Sequence, residues 1–156
     1  MRLGLVTYTC GNCGYRFQAP ALSPYGYGEF LLRSPSNALA YLNALEDRTY
    51  DEVDALLVQL SEAGPWTSAQ RADVLRGIYG PVACDPDEHG GAFVINAWPQ
   101  CPNCGQRRGT WFEHPEPAPP ADFAVAPVTH QRWGLISREE KIAAVRDEMR
   151  KLARPV

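Results

Sequence analysis

Two matched cysteine pairs are the part of this chain best suited to chemistry. Each pair has two residues between its cysteines and a glycine after the second, at Cys10, Cys13, Cys101 and Cys104. This spacing lets both sulfurs of a pair face the same ion, and two pairs complete a tetrahedral shell with no open position. We therefore predict one structural metal ion held by all four thiolates. Unrelated cysteine turns and a redox-active pair are the alternatives.

Zinc and iron both suit a tetrahedral shell made only of sulfur. We expect one zinc ion, because nothing else in the chain indicates electron transfer, and iron is the less favoured ion. A glycine after each second cysteine, Gly14 and Gly105, would allow the positive φ that turns backbone amides toward sulfur.

The residues around both pairs resemble the zinc-ribbon and rubredoxin-like class of metal-binding proteins. The matching segments are Tyr8-Thr9-Cys10-Gly11-Asn12-Cys13-Gly14-Tyr15 and Trp98-Pro99-Gln100-Cys101-Pro102-Asn103-Cys104-Gly105. The resemblance implies two knuckles packed around one ion, with those four cysteines as its ligands.

A long insertion separates the two pairs. Closing a loop over residues 14–100 rather than over about 15 residues costs only about 1.6 kcal/mol more. A structural zinc site contributes roughly 10–16 kcal/mol of apparent binding free energy. The ion can therefore hold the base of a large insertion.

The elements expected to position the cysteines are short strands. Residues 3–9 and 15–17 flank the first pair, and residues 92–98 and 110–112 flank the second. They predict a small antiparallel zinc ribbon, with its halves at 1–18 and 91–113.

The insertion, residues 19–90, is predicted to be mainly helical. Its three helices are expected to start at Ser34 or Ser36, at Thr49 and at Thr67, the last two through capping boxes with Glu52 and Gln70. Their apolar residues recur every three or four positions: Leu39, Leu42 and Leu45; Val53, Leu56, Leu57 and Leu60; Ala72, Val74, Leu75 and Ile78. The Gly80-Pro81 step is expected to end the third helix.

A proline-rich strap, residues 114–130, is expected to follow the second half of the ribbon as an extended segment. A C-terminal helix over 137–153 is predicted from the Ser137–Glu140 capping box. Its apolar face would consist of Ile142, Val145, Met149 and Leu152.

A fifth cysteine and an acidic loop are weaker candidates for chemistry. Cys84 could act as a nucleophile with His89, but neighbouring carboxylates raise a thiol pKa and oppose its activation. The loop residues Asp85, Asp87, Glu88 and His89 could hold a second metal. A spare thiol beside a solvated loop is the simpler interpretation, and an enzyme using either feature is the third functional alternative.

Arginines beside the knuckles are candidates for nucleic-acid contact. Arg16 follows the first pair, and Arg107 and Arg108 follow the second. They could contact phosphate, or they could offset the negative sulfur cluster. The formal net charge of -3 argues against a large phosphate-binding surface, so nucleic acid is the alternative partner.

Three aromatic residues lie in a glycine-bearing loop at 23–30, namely Tyr25, Tyr27 and Phe30. Aromatic residues on a loop can anchor a partner protein, although packing against the helices is the other interpretation. With Asp85, Asp87 and Glu88 they form the candidate partner-binding set.

Composition sets the class of protein. A chain of 156 residues that is 45% hydrophobic can bury a core as one domain. It has no apolar run long enough to span a membrane and no secretory leader, so we expect a cytosolic protein. The fold class predicted is α+β. The function predicted is a non-enzymatic protein-binding module with structural zinc, such as an inhibitor or immunity-type protein, of unknown oligomeric state.

Overall fold

The computed structural model describes residues 1–22, 26–60, 66–112 and 119–152, and these form a mixed α+β fold. The strands are β1 (Arg2–Cys10), β2 (Arg16–Ala21), β3 (Glu29–Arg33), β4 (Leu39–Asn43), β5 (Val94–Ile95), β6 (Gly109–Phe112), β7 (Ala121–Asp122) and β8 (Val125–Pro127). The helices are α1 (Arg48–Gln59), α2 (Ser68–Ala83), α3 (Gln131–Leu135) and α4 (Arg138–Leu152). The predicted α+β class is confirmed.

The first sheet positions the cysteines. Its strands run in the order β2-β1-β6, all antiparallel, and β7 pairs with the start of β1. Cys10 at the end of β1 is opposite Gly109 at the start of β6. Because β6 follows the second cysteine pair directly, this register brings both pairs to the same end of the sheet.

The second sheet corrects the prediction of a mainly helical insertion. It has the order β5-β3-β4-β8, with an antiparallel β3–β4 hairpin and a parallel β4–β8 pair. The predicted helix starting at Ser34 or Ser36 is wrong, because residues 39–43 are β4. The hairpin turns through Asn37, whose φ is 66°.

The spacing of the leucines in β4 suggested a helix by coincidence. Ala40 and Leu42 alternate as buried residues, whereas Leu45 is 66% exposed. A period of two therefore describes the buried face better than the period of three that joins Leu39, Leu42 and Leu45. The sheet partners that decide between the two periods come from other parts of the chain.

The strand predicted over 92–98 is also corrected. Only Val94–Ile95 is a strand, and it pairs with Leu32 and Arg33 of the second sheet rather than with a ribbon half. Asn96 has a positive φ of 54°, which ends the strand there.

The two helices predicted after residue 45 exist, with altered ends. The Thr67–Gln70 capping box of α2 is confirmed. The helix continues through Pro81 to Ala83 instead of ending at Gly80. The cap of α1 is Asp47 rather than Thr49, because the Asp47 side chain accepts from the Tyr50 amide.

The helices α1, α2 and α4 pack together over the second sheet. The core includes Leu32, Leu42, Val53, Leu57, Ile78, Tyr79 and Val145. The Ser137–Glu140 capping box of α4 is confirmed, and Val145 and Met149 are buried while Leu152 is 51% exposed. None of the helices in the described ranges is long and apolar enough to cross a membrane.

The predicted proline-rich strap is described only from residue 119 onward, where it contains β7 and β8. The segment of consecutive prolines lies largely outside the described residues. The short strands show that the later part of the strap contributes to both sheets.

Asp47 joins three distant parts of the core. Its second carboxylate oxygen lies 2.9 Å from His130 Nε2, and His130 Nδ1 lies 2.8 Å from the Ala83 carbonyl oxygen at the end of α2. Tyr79 Oη lies 3.3 Å from the same Nε2. Both ring nitrogens of His130 thus face oxygen atoms, and Asp47 serves as both helix cap and partner of the ring.

We expect the Asp47→Ala variant to lose about 2–4 kcal/mol of unfolding free energy, because it removes a helix cap and leaves His130 without its carboxylate. Urea unfolding of both proteins measures the loss. The matched control is Thr49→Ala, which removes the cap predicted from sequence and should change stability by less than about 0.5 kcal/mol. Equal losses in the two variants would contradict the role assigned to Asp47.

Candidate metal centre

The structure brings the four predicted cysteines together. Their sulfur atoms all lie within 4.8 Å of one another. The Cys10 and Cys104 sulfurs are 3.5 Å apart, and those of Cys13 and Cys101 are 3.7 Å apart. A tetrahedral ion with bonds of about 2.3 Å to sulfur separates its ligands by about 3.8 Å. The cluster is therefore compatible with one zinc ion.

The two knuckles have the same backbone design. In the first, the Gly14 amide donates to the Cys10 carbonyl, and in the second the Gly105 amide donates to the Cys101 carbonyl, both at 2.9 Å. Their φ values are 70° and 75°. The predicted need for glycine after each pair is confirmed, because a side chain at either position would be strained.

Hydrogen bonds from N–H groups of neighbouring residues orient two of the sulfurs. The Asn12 amide lies 3.4 Å from Cys10 Sγ, and Asn103 Nδ2 lies 3.5 Å from Cys13 Sγ. The contact from Asn12 uses its backbone amide, so only Asn103, directly before its knuckle's second cysteine, carried a side-chain signal in the sequence.

The environments of the sulfurs differ. The hydrogen bond from Asn103 and a backbone amide of its own knuckle lower the pKa of Cys13 to about 6. Backbone amides likewise lower the pKa of Cys10, whereas burial raises the pKa of Cys101 to about 11. A bound divalent ion would deprotonate all four thiols, since a coordinating thiol is held as thiolate. The amides then stabilise the negative charge on sulfur.

The donor set fits a structural ion. Four sulfurs fill a tetrahedral shell, so there is no position for an activated water or a substrate. The sulfurs come from two segments separated by the whole insertion, so an ion would link both segments. Iron fits the same shell.

The three arginines near the knuckles have different surroundings. Arg107 donates to the carbonyl oxygens of Trp98, Ser34 and Pro35 and to the Asn37 side chain, at 2.8–3.0 Å. These hydrogen bonds connect the second knuckle to the β3–β4 turn.

Arg108 reaches the side-chain oxygen of Asn12 at 3.5 Å. Arg16 is exposed at the start of β2. Contact of these residues with nucleic acid stays a prediction.

Cys84 lies in an environment that suppresses thiol reactivity. It is 8% exposed at the end of α2. Burial and the nearby carboxylates of Asp47 and Asp85 raise its pKa to about 12. A neutral, buried thiol is a poor nucleophile, and His89 is exposed on the surface.

The acidic loop is tied into the fold. Asp85 accepts from the amides of Gln131 and Arg132 at the start of α3, both at 2.9 Å. Asp87 accepts from the Ser36 hydroxyl at 2.6 Å and from the Gly91 amide at 2.6 Å. Hydrogen bonds from serine hydroxyls lower the pKa of Asp87. Both aspartates therefore organise loops.

Among the other candidate partner contacts, Glu88 is exposed and close only to His89, at 3.5 Å. Tyr27 is 87% exposed. Phe30 instead packs against the core and stacks on Tyr50 with ring centroids 6.4 Å apart. Tyr25 lies outside the described residues.

No protein-family model matches this chain, and comparisons with curated proteins and with solved structures found no significant match. The four-cysteine geometry therefore carries the functional argument by itself.

Proposed function

We propose that this protein is a non-enzymatic binding protein whose zinc-ribbon-like cysteine centre holds one structural zinc ion. The observation that carries the proposal is the closed four-sulfur cluster, with all sulfurs within 4.8 Å of one another. An ion whose four ligands are all protein side chains stabilises the fold but has no open position for a substrate. Binding of a partner would therefore use another surface of the protein. Its cysteines form no disulfide in the described part of the chain, which suits a reducing cytosol.

An apolar pair at the open end of the β3–β4 hairpin supports a protein partner. Tyr27 and Leu45 are 87% and 66% exposed. They flank the backbone bond between the Ala44 amide and the Gly28 carbonyl, at 2.8 Å, so they lie at the same end of the hairpin. Exposed tyrosine beside leucine is typical of a contact surface that loses water on binding.

The charge around this pair indicates what kind of partner it would take. Glu29 and Glu46 are exposed beside it, and the whole chain carries a formal charge of -3. A basic protein surface with a central apolar patch is complementary to this arrangement. The sharper proposal is an inhibitor or immunity-type protein that covers such a surface on its target.

The test is affinity capture with tagged, zinc-loaded protein from the native cell. We expect a basic protein to be captured by the wild type and lost with the Tyr27→Ser/Leu45→Ser double variant. Both side chains are exposed, so the variant should fold normally. The matched control is Leu135→Ser, which removes an 86% exposed leucine on α3 and should retain the partner. Capture that survives in the double variant, or the absence of any captured protein, contradicts the proposal.

A further inference from the structure

The second sheet contains a buried cation that has no anionic partner among the residues the structure describes. Arg33 at the end of β3 is 6% exposed. Its Nη2 donates to the Pro20 carbonyl oxygen, and its guanidinium is hydrogen-bonded to the Tyr8 hydroxyl. Within the described ranges no carboxylate pairs with it. Buried charges in proteins are normally paired, so an unpaired guanidinium indicates that an anion completes the site.

Arg33 lines a cavity of about 490 Å³ between the two sheets. The cavity is large enough for a small organic molecule. Its aromatic walls are Tyr8, Phe30 and Trp98. Tyr8 and Trp98 meet edge to face, with ring centroids 5.5 Å apart and an interplanar angle of 78°. Flat apolar walls beside the Arg33 guanidinium favour a ligand with an aromatic body and one anionic end.

The charges around the cavity favour a single negative charge. Burial lowers the pKa of Arg33, and the charge of Arg107 lowers it further. Because the partners of Arg107 described above are all neutral oxygens, the two guanidinium groups repel each other. A bound anion would relieve this repulsion. Glu29 also lines the cavity, however, and its carboxylate opposes a ligand with two negative charges.

We propose that this cavity binds a small aromatic carboxylate, with Arg33 holding the carboxylate and the aromatic ring lying against Tyr8 and Trp98. A guanidinium matches a carboxylate in charge and in its two-pronged geometry. The Tyr8 hydroxyl, which accepts from Arg33, retains its own proton to donate to the ligand. The site includes none of the four cysteines and neither Tyr27 nor Leu45, and only Glu29 borders both regions. The proposal therefore does not depend on the proposed function.

The experiment is calorimetric titration of the zinc-loaded protein with benzoate, 4-hydroxybenzoate and indole-3-carboxylate, each compared with its neutral amide. We expect at least one acid to bind with a Kd below about 1 mM, and its amide to bind at least about tenfold more weakly, because the charged hydrogen bond is lost. Equal binding of acid and amide would overturn the proposal, as would the absence of binding by all three acids at about 10 mM.

Two variants locate the site. Arg33→Met keeps the length of the side chain and should weaken binding of the acid by about tenfold or more, while Arg2→Met on the exposed start of β1 should not. Ala97→Trp keeps Arg33 but fills the cavity that Ala97 lines, so it should abolish binding. Circular dichroism establishes that each variant is folded. If either folded cavity variant bound the acid normally, the site would be elsewhere and the proposal wrong.

Inorganic phosphate and adenosine monophosphate are the remaining probes. A doubly charged phosphate faces one unpaired guanidinium and the opposing Glu29, so both probes should bind more weakly than the best carboxylate. Tighter binding of either phosphate would overturn the assignment to a carboxylate.

Discussion

Removal of the metal is expected to unfold the cysteine end of the molecule and to destabilise the whole chain. A structural zinc ion contributes about 10–16 kcal/mol, which equals or exceeds the total stability of a typical domain, about 5–15 kcal/mol. Two of the sulfurs belong to buried residues, Cys10 and Cys101, and these would lose their partner. Circular dichroism and metal analysis after treatment with a chelator measure the effect.

A pair of cysteine variants separates the effect of the ion from that of burying a thiol. Cys101→Ser removes a ligand and should abolish stoichiometric metal binding and the cooperative unfolding transition. Cys84→Ser changes a cysteine that is also buried, 8% exposed against 2% for Cys101, but lies outside the cluster. It should keep one metal per chain and lose only about 1–3 kcal/mol.

Metal analysis of the purified protein also identifies the ion. Protein purified without added metal should contain one zinc per chain, whereas a red sample loaded with iron would contradict that choice. Metal-free protein that remained fully folded would refute the structural role of the centre.

Gly80→Ala is expected to destabilise the protein by about 3 kcal/mol or more, because a Cβ at this position would force α2 away from β5. That Cβ would lie 1.9 Å from the Phe93 carbonyl oxygen and 2.8 Å from its carbon, both backbone atoms. Helix propensity alone would give the opposite sign, since alanine is favoured over glycine by about 1 kcal/mol inside a helix. For a chain of this size the loss lowers the Tm by about 6–12 °C.

Gly77→Ala is the matched control in the same helix. Its Cβ would meet the Leu152 side chain, with Cδ1 at 2.9 Å, and Leu152 is 51% exposed and free to move. Helix propensity should therefore dominate, with a gain of about 0.5–1 kcal/mol. Thermal unfolding of both variants shows whether each substitution raises or lowers the stability of the protein. A gain in Gly80→Ala would show that α2 does not approach β5 this closely.

The local features of the chain could be predicted from sequence because their causes lie within a few residues. The Thr67–Gln70 and Ser137–Glu140 capping boxes each involve residues three positions apart. The turn of each cysteine knuckle likewise depends on its own glycine. The four sulfurs could be assigned to one cluster because two cysteine pairs of this spacing complete the tetrahedral shell of one ion. That prediction does not depend on the secondary structure between the pairs.

Tertiary contacts decided the rest. Leu39 and Leu42 lie in a strand because Arg33 and Phe30 of β3 face them on one side and β8 pairs with the strand on the other. Asp47, itself a favoured capping residue, caps α1 through one carboxylate oxygen, while its other oxygen faces His130 far along the chain.

By itself, then, the sequence determined the cysteine cluster, the glycine turns and the capped helices, since each depends on short-range geometry or on the chemistry of sulfur. Only the tertiary structure decided that residues 39–43 join a sheet, that Gly80 must lack a side chain, and that Arg33 is buried at a cavity where no described carboxylate pairs with it. These outcomes depend on which distant segments pack together, and the amphipathic spacing of a single segment carries no information about its partner.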